Sequence, residues 1–343
     1  MQTPLEVAQQ CAQQALALAG NGDSVVLAMG ENHHIFSHQV SQVLALKELV
    51  AKKQNVTLFI ENPHNRLYTI LLDRGYDRDD ASKLAQHISE RDHNGHITAK
   101  ALIGGNPDSL RGKENFLRFG AQMMLQAAVH HGARIVYADA ARVYPEDFCM
   151  DYSDPSTNGI ASKLNARKGP EGECGPDDML IRNTHMAETM KRELGKTGGI
   201  GLAHIGAAHG LGVNDEANGL HYYRDSLAEQ FQNTGLPAVV VSMQPDHALP
   251  PDYKIPAGAQ RHIFSAPSPA TLTNNMSEAE IGGFLTKNGL TPSFYDPKKF
   301  AKNYRAEFNE VLKQAETVLG ISIPAPPSGG GRPDPQGPVK AYG

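Results

Sequence analysis

The sequence predicts an α/β fold with a mostly parallel central sheet flanked by helices. Three observations carry that expectation. Short apolar, β-branched runs alternate with amphipathic stretches of helical period. Polar residues and glycine gather where those runs end. The chain has 343 residues, 40% of them hydrophobic, which suffices for a sizeable core.

Taken in order, a helix is expected over Pro4 to Leu18, then a strand over Ser24 to Met29 and a helix over Ile35 to Lys53. The second strand is Val56 to Ile60. Helical periodicity follows near Arg66 to Arg74, Asp79 to Glu90 and Glu114 to His131, and the third strand is Arg134 to Ala138. Residues Val143 to Asp177 are rich in Pro, Gly, Asp and Ser, so they are expected to form a long loop insertion, a lid over the sheet edge. Helix resumes over Asp178 to Leu194, followed by a strand at Gly199 to Ile205, a helix at Tyr222 to Gln232 and a strand at Pro237 to Met243. Beyond these lie one short strand, His262 to Ser265, and a polar helix, Pro297 to Leu319. The domain reading is 1–249 for the α/β unit, 250–323 for a C-terminal extension packing on it, and 324–343 for a disordered Pro/Gly-rich tail.

Composition removes several function classes. Lys and Arg number 32 against 37 Asp and Glu, a net charge of −5, so no basic excess exists to neutralise a nucleic-acid backbone. Three cysteines without a Cys-x-x-Cys pair indicate neither a disulfide framework nor a zinc knuckle, and fit a reducing compartment. The N-terminal stretch lacks a basic and then apolar signal pattern, and no run approaches the roughly 18 apolar residues of a membrane span. The expectation is a soluble, cytoplasmic chain. Secretion that needs no such signal would leave no mark on this sequence.

The unusual count is 15 histidines, and their placement carries the chemistry. The first strand runs into Gly30-Glu31-Asn32-His33-His34, the second into Glu61-Asn62-Pro63-His64, the third into Asp139, and the fourth into His204-Ile205-Gly206-Ala207-Ala208-His209-Gly210. In open α/β sheets ligands bind beyond these carboxyl ends. Such turns also favour Gly, Asn and Asp for local reasons alone. Repetition argues for more: Gly30-x-x-His33 and Gly206-x-x-His209 place the same spacing after two separate strands. His33 and His209 suit either metal sharing or activation of a water, with Glu31 and Glu61 as further ligands or tautomer-fixing partners. Imidazole plus carboxylate suits a divalent ion such as Zn, Mn or Co, with His33, Glu61 and His209 as the ligand set; metal-free general-base hydrolysis uses the same residues.

Arg182, near the start of a helix, can reach across the cleft to a carboxylate or a developing oxyanion, or pair with Asp178 at i−4 on the surface. His34 and His38, four apart, read as an exposed helical pair. His93, His96, His130 and His131 read as surface or loop residues, and Tyr68 and Tyr137 as core aromatics with satisfied hydroxyls. Gly195-Lys196-Thr197 imitates a phosphate loop, but Met190 stands where its opening glycine is required. Gly206, Gly210 and Gly212 have the wrong spacing for a dinucleotide fingerprint, and neither His-Glu-x-x-His nor Gly-x-Ser-x-Gly occurs.

GENHH after one strand, FIEN after the next, RNTHM on a helix and HIGAAHG after a later strand together resemble the superfamily of erythromycin esterases, ChaN-like haem-binding proteins and Tiki/TraB proteins. The resemblance spans about Ser24 to Met243. It implies a hydrolase-like cleft in which Gly30 to His33, Glu61, Arg182-Asn183 and Gly206 to His209 occupy the family positions. Tiki-type members are considered metal-dependent peptidases, whereas the esterases open a macrolactone with histidine and glutamate and no obligatory metal. Glu31 is more similar to the esterase and ChaN-like branches.

Three readings follow. The first is a hydrolase of an ester or amide bond in a small-molecule or peptide substrate: His33 or His209 deprotonates water, Glu31 and Glu61 orient or ligate, and Arg182 stabilises the oxyanion. The second is a ChaN-like protein that binds haem or another flat ligand without catalysis. The third is an effector-like domain whose insertion and C-terminal segment contact a protein partner.

Overall fold

The computed structural model describes residues 3–32, 35–52, 55–104, 114–142, 149–169, 175–212, 223–244, 262–265, 278–287 and 297–321. Helix α1 (Pro4–Leu18) opens the chain. Thr3 caps it in a reciprocal box with Glu6, satisfying two of the donors left over at the helix start. There follow β1 (Val25–Glu31), α2 (Phe36–Lys52), β2 (Val56–Pro63), α3 (Arg66–Asp73), α4 (Arg78–Ser89), α5 (His96–Ile103), α6 (Glu114–His131) and β3 (Arg134–Asp139). The second half contains α7 (Pro155–Lys163), α8 (Asp178–Thr197), β4 (Ile200–Gly206), α9 (Ala207–Gly210), α10 (Leu227–Thr234), β5 (Ala238–Ser242), β6 (His262–Ser265), α11 (Glu278–Lys287) and α12 (Pro297–Leu319). Among the described residues no helix is long and apolar enough to cross a membrane.

The sheet has the order β3-β2-β4-β1-β5-β6, and every pairing is parallel. The chain moves outward from β1 to β2 and β3, then returns to insert β4 between β1 and β2. Alternation of side chains assigns the two faces. Val25, Leu27, Met29, Val56, Leu58, Ile60, Ile200 and Leu202 pack in one core with α1, α2 and α6. Val26, Ala28, Phe59, Ala203, Ile205 and Val240 pack in a second core with α8 and α10. Connections therefore leave β4 toward the α10 face while those from its neighbours β1 and β2 leave toward the α2 face. That reversal makes the carboxyl edge around β4 a topological switch point.

Several expectations need correction. The strands run further than the apolar pattern suggests: Glu31 pairs with Gly206 on the last rung of β1 and β4, and Glu61 lies within β2. Backbone ladder bonds continue where side-chain hydrophobicity stops. The region 143–177 is not a loop throughout, because α7 forms within it. Asp154 caps α7 by accepting from the Ser156 and Thr157 N–H groups, and Ile160 and Ala161 pack with Ile181 of α8. Helix α5 follows a left-handed Gly95 and receives Asp92 as acceptor for the Ile97 and Thr98 N–H groups. His96 opens that helix and contacts the Ala133 carbonyl at 2.8 Å. Helix α10 starts at its Ser226 cap, later than expected, and Tyr222 lies outside the described residues. The tail 324–343 also lies outside them. Cys11 and Cys149 are buried free thiols.

The far C-terminal helix completes a third core. Phe308, Leu312 and Ala315 of α12 pack against Leu67, Leu71, Leu84, Ile88 and Ala101 of α3, α4 and α5. Polar links brace it: Tyr76 donates to Glu316, Arg74 donates to Asn309 at 2.8 Å, and Lys100 pairs with Glu307 at 2.6 Å.

One glycine matters for the site. A Cβ at Gly30 would stand 2.9 Å from the Ala207 Cα, so its absence lets the α9 turn sit directly against β1. We expect Gly30→Ala to cost about 1–3 kcal/mol in denaturant unfolding. Gly159→Ala, in α7 with nothing within 4 Å of the new carbon, should be neutral or stabilise by up to about 1 kcal/mol.

Candidate functional site

The carboxyl edge of β2, β3 and β4 carries a cluster of charge under the N-terminal half of α8. Met186, Ala187, Met190 and Leu194 anchor that helix on the sheet, which aims Arg182 and Asn183 in its second turn at the strand ends. Arg182 Nε lies 3.0 Å from Asp139 Oδ1, and its Nη2 lies 2.8 Å from Asp139 Oδ2 and 2.7 Å from Glu61 Oε1. Arg142 Nη2 donates to Asp139 Oδ2 at 2.8 Å, and the Ala140 N–H donates to Oδ1 at 2.8 Å. The surface pairing of Arg182 with Asp178 is not formed. Asp178 instead accepts from the Gly175 N–H and the Tyr152 hydroxyl.

Burial of Asp139, 2% exposed, would by itself raise its carboxyl pKa. The Arg182 and Arg142 charges reverse that and hold it at about 2. Burial likewise works against the charged form of Arg182, but Asp139 and Glu61 keep its pKa above the ordinary arginine value.

Glu61 is held at both oxygens. Oε2 accepts from the Gly206 N–H at 2.7 Å, and Oε1 receives Arg182. His209 Nε2 stands 3.0 Å from the same Oε1, and its Nδ1 is 2.6 Å from Asn183 Oδ1. His209 is 3% exposed. Thus Glu61, Arg182 and His209, three of the residues expected in the site, form one connected cluster.

Glu31 belongs to the other face. By strand alternation it follows Val25, Leu27 and Met29 toward α2, and its Oε1 lies 3.4 Å from His204 Nε2. His204 Nδ1 in turn contacts Gln42 Oε1 at 2.7 Å. His33 and His34 lie outside the described residues. His38 is not an exposed helical partner: it is 1% exposed and accepts the Asn32 N–H at 3.0 Å through Nδ1. Among the described residues, no three His, Cys, Asp or Glu side chains are grouped as metal ligands. Glu61 and His209 are the members of the expected ligand set that the described residues bring together.

Asp139, Arg142, His185 and His64 complete the surroundings and carry no role in the sequence reading, whereas Asn183 stands beside Arg182 at a position that the resemblance implies. Asp139 stood at a strand end, which was the available signal. His64 stacks on His185 with ring centroids 5.1 Å apart, and its Nε2 lies 3.3 Å from Asp154 Oδ2 of the α7 cap. Comparison with protein-family models, curated proteins and solved structures finds no match for the chain.

Two predictions follow from these contacts. Arg182→Met leaves Asp139 and Glu61 without their shared counter-ion and should cost about 3–5 kcal/mol, measured by chemical unfolding. Burial, reinforced by His64, lowers the His185 pKa from 6.5 to about 4 despite the opposing Asp139 and Asp154 charges. The unfolded chain therefore binds this proton more readily. The stability contribution is complete above pH 6.5 and is lost as pH falls toward 4, amounting to about 3 kcal/mol. Unfolding free energies measured across that window should flatten in His185→Gln; an unchanged slope would assign the titration elsewhere.

Proposed function

We propose that the carboxyl edge of β2 and β4 is a hydrolytic site for an ester or amide bond in a small-molecule or peptide substrate. The observation that carries this reading is the 3.0 Å contact between His209 Nε2 and a Glu61 carboxylate already clamped by Arg182 and the Gly206 N–H. It couples an imidazole to a fixed charge at a sheet position where ligands bind.

In the proposed reaction the contact between His209 Nε2 and Glu61 opens, and the freed Nε2 takes a proton from water as the water oxygen bonds to the carbonyl carbon. Glu61 stabilises the imidazolium that forms. Arg182 spends Nε and Nη2 on Asp139 and Glu61, leaving Nη1 as the donor to meet the tetrahedral oxyanion. Collapse breaks the bond to the leaving oxygen or nitrogen, which receives the proton from Nε2. Partial burial of Arg182 and Glu61 strengthens these interactions. Glu31, beside His204 on the opposite face, orients that second ring in this reading. His33 remains the alternative base.

A divalent ion such as Zn, Mn or Co would be held by His209 and Glu61 with His33. Imidazole and carboxylate are the donor types such an ion takes, although Arg182 already occupies the Glu61 oxygen that faces His209. Such an ion would supply Lewis acidity and a more acidic water. The motif order GENHH, FIEN, RNTHM and HIGAAHG supports placing the chain with the erythromycin esterase, ChaN-like and Tiki/TraB superfamily, and that membership is part of the proposal.

Screening the purified chain on ester and amide panels, with and without chelator, tests the reading. His209→Ala and Glu61→Gln should each lower turnover by about 10²-fold or more while circular dichroism stays native. Turnover unchanged in both variants rejects it. A Soret shift on adding hemin, with no hydrolysis of any panel member, would favour the ligand-binding alternative.

A further inference from the structure

Asn183 is fully buried, and its amide has one orientation compatible with its neighbours. Nδ2 lies 2.6 Å from the Asp225 carbonyl oxygen, which can only accept. The atom facing His209 Nδ1 at 2.6 Å is therefore Oδ1, which also only accepts. The proton in that contact must belong to the imidazole Nδ1.

The Asp225 carbonyl is aimed by a turn in an unusual conformation. Tyr223 and Asp225 have φ of 69° and 60°, values that non-glycine residues seldom adopt. The Asp225 N–H donates to Glu229 Oε2 at 2.7 Å, and the Ser226 hydroxyl donates to the Tyr223 carbonyl at 2.6 Å, so the strained turn is braced on both sides. The arrangement also recurs across the sheet. There Gln42 Nε2 donates to the Met29 carbonyl at 2.7 Å, its Oε1 faces His204 Nδ1 at 2.7 Å, and His204 Nε2 faces Glu31. Two amides, each fixed by a backbone carbonyl, present two imidazoles to two carboxylates in the same sense.

We infer that Asn183 is a positioning residue: anchored on the 223–225 turn, it holds a proton on His209 Nδ1, so that Nε2, which faces the Glu61 carboxylate, is the nitrogen whose proton is free to move. The inference deepens the proposed hydrolytic site and rests on that reading for its catalytic consequence. The tautomer itself is set by hydrogen bonds and is measurable without any substrate. Asn183 has no contact with the reacting atoms in this scheme; it acts through the ring.

The test is side-chain ¹H–¹⁵N correlation of the full ¹⁵N-labelled chain between about pH 5 and 9, with His209 assigned by its loss in His209→Gln. The expected result is a His209 Nδ1 proton that persists across the range, whatever the state of Nε2. Asn183→Leu should remove the proton from Nδ1 of the neutral ring and lower kcat by about 10–100-fold with KM nearly unchanged. A wild-type ring that carries no proton on Nδ1, or an Nδ1 proton kept in Asn183→Leu as in wild type, overturns the inference. Since the first of these readings needs no variant, failure of Asn183→Leu to fold does not shield it. An Nδ1–H ring in a protein that hydrolyses nothing on the panels would sustain the positioning role and overturn the hydrolytic reading alone.

Discussion

The charge cluster around Asp139 is the constraint on which the candidate site depends. Four donor contacts converge on that carboxylate, from both ends of the sequence that follows it and from α8. Buried ions tolerate no missing partner, so the position of Arg182 is fixed by Asp139 before any ligand is considered. Arg182 then fixes Glu61, and Glu61 fixes both the Gly206 backbone and the His209 ring. A side chain on β3 thus determines the geometry of a histidine beyond β4. The order of the sheet, with β2 between β3 and β4, makes that transmission a matter of two neighbouring contacts.

Insertion of β4 between β1 and β2 also explains why two similar histidine–glutamate pairs exist without forming one cleft cluster. Side chains alternate across the sheet, and Glu31, the last residue of β1, and Glu61, near the end of β2, stand in opposite phase relative to the two cores. His204 follows Leu202 toward α2, whereas His209, carried beyond the strand on α9, reaches α8. A single strand and its following turn therefore serve both faces. The close approach of Ala207 to Gly30 keeps that turn against β1 and holds the two pairs at one edge.

Much of the architecture was legible because parallel strands buried on both faces read as unbroken apolar runs. Val25 to Met29, Val56 to Ile60 and Ala238 to Val241 announce themselves this way. Their polar carboxyl ends, Glu31 of β1 and Glu61 to Pro63 of β2, did not, because ladder bonds belong to the backbone. Helix α7 was hidden by a composition of Pro, Asp and Ser that resembles loop, although Asp154-Pro155 is a helix start. Of the site, Glu61, Arg182 and His209 were readable as polar groups at strand and helix ends. The roles of Asp139, Arg142 and Asn183 were not, since each depends on a partner 42 or more residues away or on a hub that only the folded sheet assembles. The burial of His38 was invisible for the same reason: its acceptor role answers an N–H freed where β1 ends.

Helix α12 brings a different kind of dependence. The apolar faces of α3, α4 and α5 are made within the first third of the chain, yet Phe308, Leu312 and Ala315 are what cover them. During synthesis those early helices emerge long before their cover does, and their apolar faces stay open until α12 follows. A ribosome stalled short of Phe308 releases a product with an open greasy seam, a substrate for chaperones and proteases even though every residue of the proposed site is already present.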